Sequence, residues 1–506
     1  MLTRRQFMIN GSAIGASLLA SPLTAGGRLL PEVSGYRALV CINLAGGNDS
    51  FNMLVPSDEV QYAAYANARG NLALDQSNLI DLPNRAVTAS SFSVHSGMSE
   101  IQELYDKGDA AFLANVGALD RPLSRAELRS SLNFGPEQLL SHTGQIYGWQ
   151  AGSSHLQSSS GWGGRAADLL QYFFPSADSP ICVSMSGANL FQLGTKTLPS
   201  ICQFSNMHSS TSGHSVGADF DYVTRQLAEE GYRKAHGASS SWPETELNID
   251  TKSGFGAYDE RENYVDSRLK SGQEYFSQQL SRVAHIISEQ DPTKPVRQIF
   301  YVSFSGWDHH HQLLKNQAMM LPVLSQGLLS FRNALSDLGL FESVITFTAS
   351  EFGRSLTSNG SGSDHGWGGH QIVMGGGIRG GQVYGRYPKL SSLNPLNIGN
   401  GVYAPTTSND QYFAKLAPDQ RINQEMALMS GTAEGVIFTT PARHDYIEAA
   451  IAYFSKGGPL SRDSLMDTAI SVFIENELAS GHFLKPGDTV TYRASLLGEI
   501  VVEITP

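Results

Sequence analysis

Gln298-Ile299-Phe300-Tyr301-Val302-Ser303-Phe304 runs straight into Ser305-Gly306-Trp307-Asp308-His309-His310-His311. The first half has the length and side-chain branching of a strand buried on both faces. The second half crowds a carboxylate and three imidazoles into four residues. Such a cluster is costly to hold together unless a cation neutralises the acid and takes the imidazole lone pairs. A solvated histidine run is the competing reading, because consecutive side chains point in different directions and all three cannot bind one ion. In an extended chain Asp308 and His310 share a side, so these two are the expected ligands, with His311 in reserve.

Comparable apolar runs occur at Ala38 to Leu44, Ala110 to Val116, Pro180 to Met185, Val344 to Ala349 and Gln371 to Met374. Helix-period stretches lie between them at Ser99 to Lys107, Gly163 to Tyr172, Tyr222 to Arg233, Glu262 to Ser288 and Leu321 to Leu338. Alternation of strand and helix predicts an α/β fold, a mostly parallel central sheet with helices on both faces. In such sheets ligands sit beyond the carboxyl ends of the strands, so the residues that follow each strand carry the functional reading.

After the first strand comes Ala45-Gly46-Gly47-Asn48-Asp49-Ser50, whose glycines permit a tight turn that brings Asp49 to the mouth of the sheet. An Asx turn is the structural alternative. Val344 to Ala349 is followed by Ser350-Glu351-Phe352-Gly353-Arg354, and Asp364-His365-Gly366-Trp367-Gly368-Gly369-His370 leads into the next strand. Asp364, His365 and His370 form a second group of hard ligands. Arg354 either grips an anionic substrate through its planar fork or pairs with Glu351. Beyond Ala110 to Val116, a loop ends in Ser141-His142-Thr143 with a helix to follow. Ser141 there is either an ordinary N-cap or, like Thr143, a nucleophile facing backbone N–H groups; His142 is then a base or a ligand. His95 reads as a loop histidine.

The chain has 506 residues, 41% hydrophobic, which is enough for one large α/β domain with insertions or for two domains. Its formal charge of −12 argues against nucleic acid as a partner. The three cysteines, Cys41, Cys182 and Cys202, lack CxxC spacing, so any metal is held by oxygen and imidazole. No P-loop, GxSxG elbow or HExxH is present, and Gly375-Gly376-Gly377 is not followed by the helix and acid of a dinucleotide fingerprint. At the other end, Thr3-Arg4-Arg5-Gln6-Phe7-Met8 before a short, weakly apolar run resembles a twin-arginine export signal. The expected location is therefore periplasmic or secreted, and the mature chain is not an integral membrane protein.

In their order, the double arginine, Leu44 to Asp49, Ser141-His142, Gly306 to His310, Ser350 to Arg354, Asp364 to Gly366, Gly375 to Gly381 and Pro405 to Tyr412 resemble the bacterial family called domain of unknown function 1501, within the alkaline phosphatase and sulfatase superfamily. That resemblance implies an alkaline phosphatase-like fold and a site for two divalent metal ions, Zn, Mn, Mg or Ca. By the same resemblance Asp49 is the first acid, Asp308 and His310 the middle group, Glu351 the later acid, and His365 or His370 the closing histidine. The activity implied is in-line attack by Ser141, Thr143 or metal-bound water on a phosphate or sulfate ester, a small anionic substrate. A catalytically inactive periplasmic or surface binding protein on the same fold is the alternative. Glu351-Phe352 stands where the superfamily shows adjacent Asp-His, so one imidazole is lost or supplied from elsewhere.

The expected organisation is a signal and linker at 1–30, the α/β domain at 31–418 and a small β-rich appendage at 419–506. Within the last, Met429 to Phe438, Phe483 to Val490 and Leu497 to Ile500 are similar to the end of fumarylacetoacetate hydrolase-type domains. Pro486-Gly487-Asp488 ahead of Thr489 to Ala494 also reads simply as a turn entering a strand.

Overall fold

The computed structural model describes residues 35–83, 91–119, 136–152, 158–173, 179–202, 216–240, 242, 246–247, 271–294, 296–391, 393–409, 412–413, 489–494 and 498–503. The chain divides into two compact units, residues 35–430, and residues 1–34 with 431–506. The export signal and most of the tail lie outside the described residues.

Along the larger unit run β1 (Arg37–Ala45), β2 (Leu54–Pro56), α1 (Glu59–Arg69), β3 (Leu79–Leu82), β4 (Phe92–His95), α2 (Ser99–Lys107), β5 (Ala110–Gly117), α3 (His142–Ala151), α4 (Trp162–Phe173), β6 (Cys182–Ser184), β7 (Ser200–Cys202), α5 (Val216–His236), β8 (Glu246–Leu247) and α6 (Ser271–Ser288). There follow β9 (Arg297–Ser305), α7 (Leu313–Asp337), β10 (Val344–Ala349), β11 (Arg354–Ser358), β12 (Ser363–His365), β13 (Gly369–Gly375), β14 (Val383–Gly385) and β15 (Thr407–Ser408). In the other unit β16 (Thr489–Ala494) pairs antiparallel with β17 (Gly498–Glu503). Among the described residues no helix is long and apolar enough to cross a membrane.

The central sheet has the order β14-β5-β13-β10-β1-β9-β6-β7-β8, with β15 added beside β5. Strand β1 lies between β9 and β10, parallel to both. Among the described strands of this sheet only β13 runs against the rest, antiparallel to β10 and β5. The fold is thus α/β with a mostly parallel sheet.

Why β1 is a continuous apolar run is visible in where its side chains go. Ala38, Val40, Ile42 and Leu44 enter a core with Ile101 and Leu104 of α2, Val283 of α6 and Leu324 of α7. Leu39 and Cys41 enter the opposite core with Trp149 of α3 and Trp162, Ala166 and Leu170 of α4. Alternate residues face alternate layers of helix, and each fully buried Leu or Ile contributes about 1.5–3 kcal/mol.

Several expected elements differ in extent. The strand expected from Pro180 shortens to β6, and the helix expected from Leu321 begins at Leu313 and runs through Pro322. His95 ends strand β4, buried, with Nδ1 accepting the Gly97 N–H at 2.9 Å, and is not a loop histidine. The carboxyl ends of β1, β5, β9 and β10, and the start of β13, meet along one edge of the sheet.

Candidate metal centre

The loop after β9 is anchored before it reaches the chemistry. Gly306 and Trp307 both donate N–H to the carbonyl of Ala45 at the end of β1, at 3.2 and 3.1 Å, and the Trp307 side chain is fully buried. Asp308 follows and is held by Arg354, whose Nη1 donates to Asp308 Oδ1 at 2.7 Å. Burial would raise the Asp308 carboxyl, but hydrogen bonds from His142, His365 and Arg354 outweigh it and hold the group far below the usual carboxylate range.

Two glycines make room for this. Gly46 has φ +118° and its missing Cβ would lie 2.5 Å from the Asp308 backbone nitrogen. Gly47 has φ +81° and its Cβ would lie 2.0 Å from the Phe352 ring. Only glycine satisfies both the positive φ and the approach.

Hairpin β11–β12 places His365 opposite Arg354. His365 Nδ1 lies 2.7 Å from the carbonyl of Leu140, and a carbonyl only accepts, so Nδ1 carries the proton and Nε2 the lone pair. Leu140 itself has φ +70°, a strained conformation for a branched side chain. His310 Nδ1 stands 3.3 Å from Asp364 Oδ1 by the same logic, which turns its Nε2 inward. The result is a triangle of three atoms that can each bind a proton or a cation. His310 Nε2 and His365 Nε2 are 2.9 Å apart, and they lie 3.2 and 3.5 Å from Asp308 Oδ1.

His142, the first residue of α3, completes the group. Its Nδ1 is 3.1 Å from Glu351 Oε1 and its Nε2 is 3.7 Å from Asp308 Oδ2. His142, Asp308 and His365 each bring a ligand atom within 4.8 Å of the others. Burial opposes protonation of His142, but its hydrogen bonds to Asp308 and Glu351 prevail and push its pKa up to about 9. An imidazole thus stands beside Glu351 in space, supplied by helix α3.

A divalent cation fits these residues. Two ring nitrogens 2.9 Å apart beside a carboxylate oxygen call for a positive charge among them, a proton or a metal ion, and the spacings match those between ligands bound at about 2.0–2.2 Å.

Other expected site residues take different places. Asp49 is fully buried, and its Oδ2 receives Arg69 Nη2 at 2.7 Å and Ser363 Oγ at 2.5 Å. It forms a buried ion pair outside the Asp308 group; Arg69 escaped the sequence reading because helix α1 did. Arg354 meets neither an open anion site nor Glu351, since it is fully buried and donates to Asp308 Oδ1, Gly46 O and Ser363 O. Glu351 Oε1 accepts the Gly46 N–H at 2.8 Å and faces His142. His370 points away: its Nδ1 accepts the Asn115 N–H at 3.0 Å, its ring stacks on Tyr387, and burial lowers its pKa to about 3. Asp364 lies on the exposed side of His310, and His311 meets Ser361 Oγ at the surface. His309 was passed over in sequence; it turns inward, and burial, then the Arg354 charge, lower its pKa to about 4. Ser141 is the N-cap of α3, accepting the Gly144 N–H at 3.0 Å, whereas Thr143 is exposed.

A family model described as Protein of unknown function (DUF1501) matches residues 36–400. Comparison with curated proteins gives no match. Among solved structures, Ps i-CgsB in complex with k-i-k-neocarrahexaose is 12% identical, with a TM-score of 0.29 over 77% of this chain and 74% of that one. The lipoteichoic acid synthase LtaP from Listeria monocytogenes is 9% identical, TM-score 0.30, over 75% and 77%. A protein in the alkaline phosphatase superfamily from Vibrio parahaemolyticus is 11% identical, TM-score 0.30, over 74% and 70%. Overlap at these TM-scores is too partial to carry function from those proteins to this one.

Proposed function

This chain belongs to the DUF1501 family of proteins of unknown function, and on that premise we propose that it is an exported, metal-dependent hydrolase of phosphate or sulfate esters. The observation that carries the reading is the triangle of Asp308 Oδ1, His310 Nε2 and His365 Nε2, every side 3.5 Å or shorter, with His142 at its flank.

These side chains would hold a divalent ion, which supplies Lewis-acid charge to an ester oxygen. Arg354 fixes the Asp308 carboxylate, and the Leu140 carbonyl fixes the His365 ring. Thr143, exposed and one residue from His142 in the first turn of α3, is a candidate because the N–H groups of a helix start favour an anion. Ser141 Oγ is occupied in capping that helix, so Thr143 or solvent is the attacking group that this geometry favours. Two metals and the preferred ester class belong to the same proposal, as does twin-arginine export, which rests on Thr3 to Met8.

Assay of the full chain, chelated and then given Zn, Mn, Mg or Ca, against chromogenic phosphate and sulfate esters tests it. Turnover restored by one metal and reduced at least about 100-fold in Asp308→Ala is expected. Stoichiometric metal with no turnover on any ester would instead favour a binding protein.

A further inference from the structure

Glu351 follows buried strand β10 directly, and the family resemblance makes it a metal ligand. Its contacts describe a different task. Oε1 receives the Gly46 N–H at 2.8 Å and lies 3.1 Å from His142 Nδ1. The other oxygen, Oε2, is buried without a hydrogen-bond partner, and the His142, Asp308 and His365 ligand atoms within 4.8 Å of one another form a group without Glu351. Its side chain is 1% exposed, so the two contacts to Oε1 are made away from water.

We infer that Glu351 is a positioning residue that holds the His142 ring by Nδ1–H and so presents Nε2 to the cation site beside Asp308. A carboxylate only accepts, so Glu351 takes Nδ1–H and leaves Nε2, 3.7 Å from Asp308 Oδ2, as the ring atom whose proton a cation would displace to meet the lone pair. An anion behind the ring also makes that lone pair more basic, as outer carboxylates do for metal-bound histidines generally. The neighbouring Phe352 ring packs on both His142 and His365, with centroids 4.9 and 4.6 Å away, and blocks rotation of either imidazole. The two site histidines outside the Asp308 loop are thus set by the same device. One is held through Nδ1 by Glu351, the other through Nδ1 by the Leu140 carbonyl.

This inference rests on the metal-centre reading, and calorimetric titration of the full chain with zinc alone separates the two. Glu351→Ala is expected to weaken zinc binding about 10–100-fold, and Glu351→Gln, whose amide oxygen still accepts from Nδ1, to recover most of it. The decisive variant is His142→Ala combined with Glu351→Ala, which should bind zinc no more weakly than His142→Ala alone. Losses that add, or Glu351→Ala binding like wild type while remaining folded, would overturn the positioning role only. Wild type that binds no zinc would overturn both readings. If Glu351→Ala does not fold, Glu351→Met, close in volume and without an acceptor for Nδ1–H, gives the same comparison with and without His142→Ala.

Discussion

At the residue scale, Asp308 and Arg354 show how a charged site is kept in place. Arg354 has no exposed side-chain surface and Asp308 has 19%, so removing the guanidinium strands a partly buried carboxylate. Arg354→Ala should cost about 3 kcal/mol or more, read as denaturant midpoint at unchanged slope. Ser141→Ala should cost about 1 kcal/mol in the same measurement, the usual loss of an N-cap. His370 yields a pH test of its place in the core. In the unfolded chain its imidazole titrates near 6.5, while burial lowers the folded value to about 3. Between those values the unfolded chain binds a proton that the folded chain does not. Stability is therefore full above about pH 6.5 and falls as pH drops, by about 1.4 kcal/mol per unit from this group. The melting temperature of His370→Gln should fall less steeply than that of wild type between pH 6.5 and 4; parallel curves would show that His370 is not held neutral. Asp308, His310 and His365 were legible because acids and imidazoles beside a buried strand stand out. The Leu140 carbonyl that orients His365 was not, since a backbone group leaves no mark in a sequence.

At the element scale, long apolar strands were legible and their directions were not. Val344 to Ala349 was read to the residue, whereas the mostly parallel reading left open which strand departs from it, and β13 is the one that runs antiparallel. Hydrophobic runs report burial on two faces and say nothing of polarity along the strand. That reversal matters, because it separates His365, at the end of hairpin strand β12, from His370, one residue inside β13 and turned toward Phe51 and Tyr387. Spacing alone could not distinguish them. Short elements such as β2, β11 and β12 carry too few residues for a periodic signal. The glycine turn after β1 is the element most exposed to a single change. Gly47→Ala would force a positive φ and push into the Phe352 ring, which itself packs on His142 and His365. The expected result is a loss of about 1–3 kcal/mol in stability together with weaker metal binding, and weakened binding without destabilisation would point away from this packing account.

At the scale of the whole molecule, the account depends on convergence. Residues 142, 308, 310, 351 and 365 come from a helix start, two strand ends and a hairpin, and the sheet order β10-β1-β9 is what makes them neighbours. The small hairpin of β16 and β17 agrees with a strand read from Thr489 to Ala494, and the likeness of the tail to fumarylacetoacetate hydrolase-type domains rests on residues mostly outside those described. Anomalous diffraction from crystals of the full chain grown with manganese addresses the convergence directly. A single strong peak about 2.0–2.6 Å from Asp308 Oδ1, His310 Nε2 and His365 Nε2 is the predicted result. A map with no peak among those atoms, or with the three side chains turned apart, would contradict it.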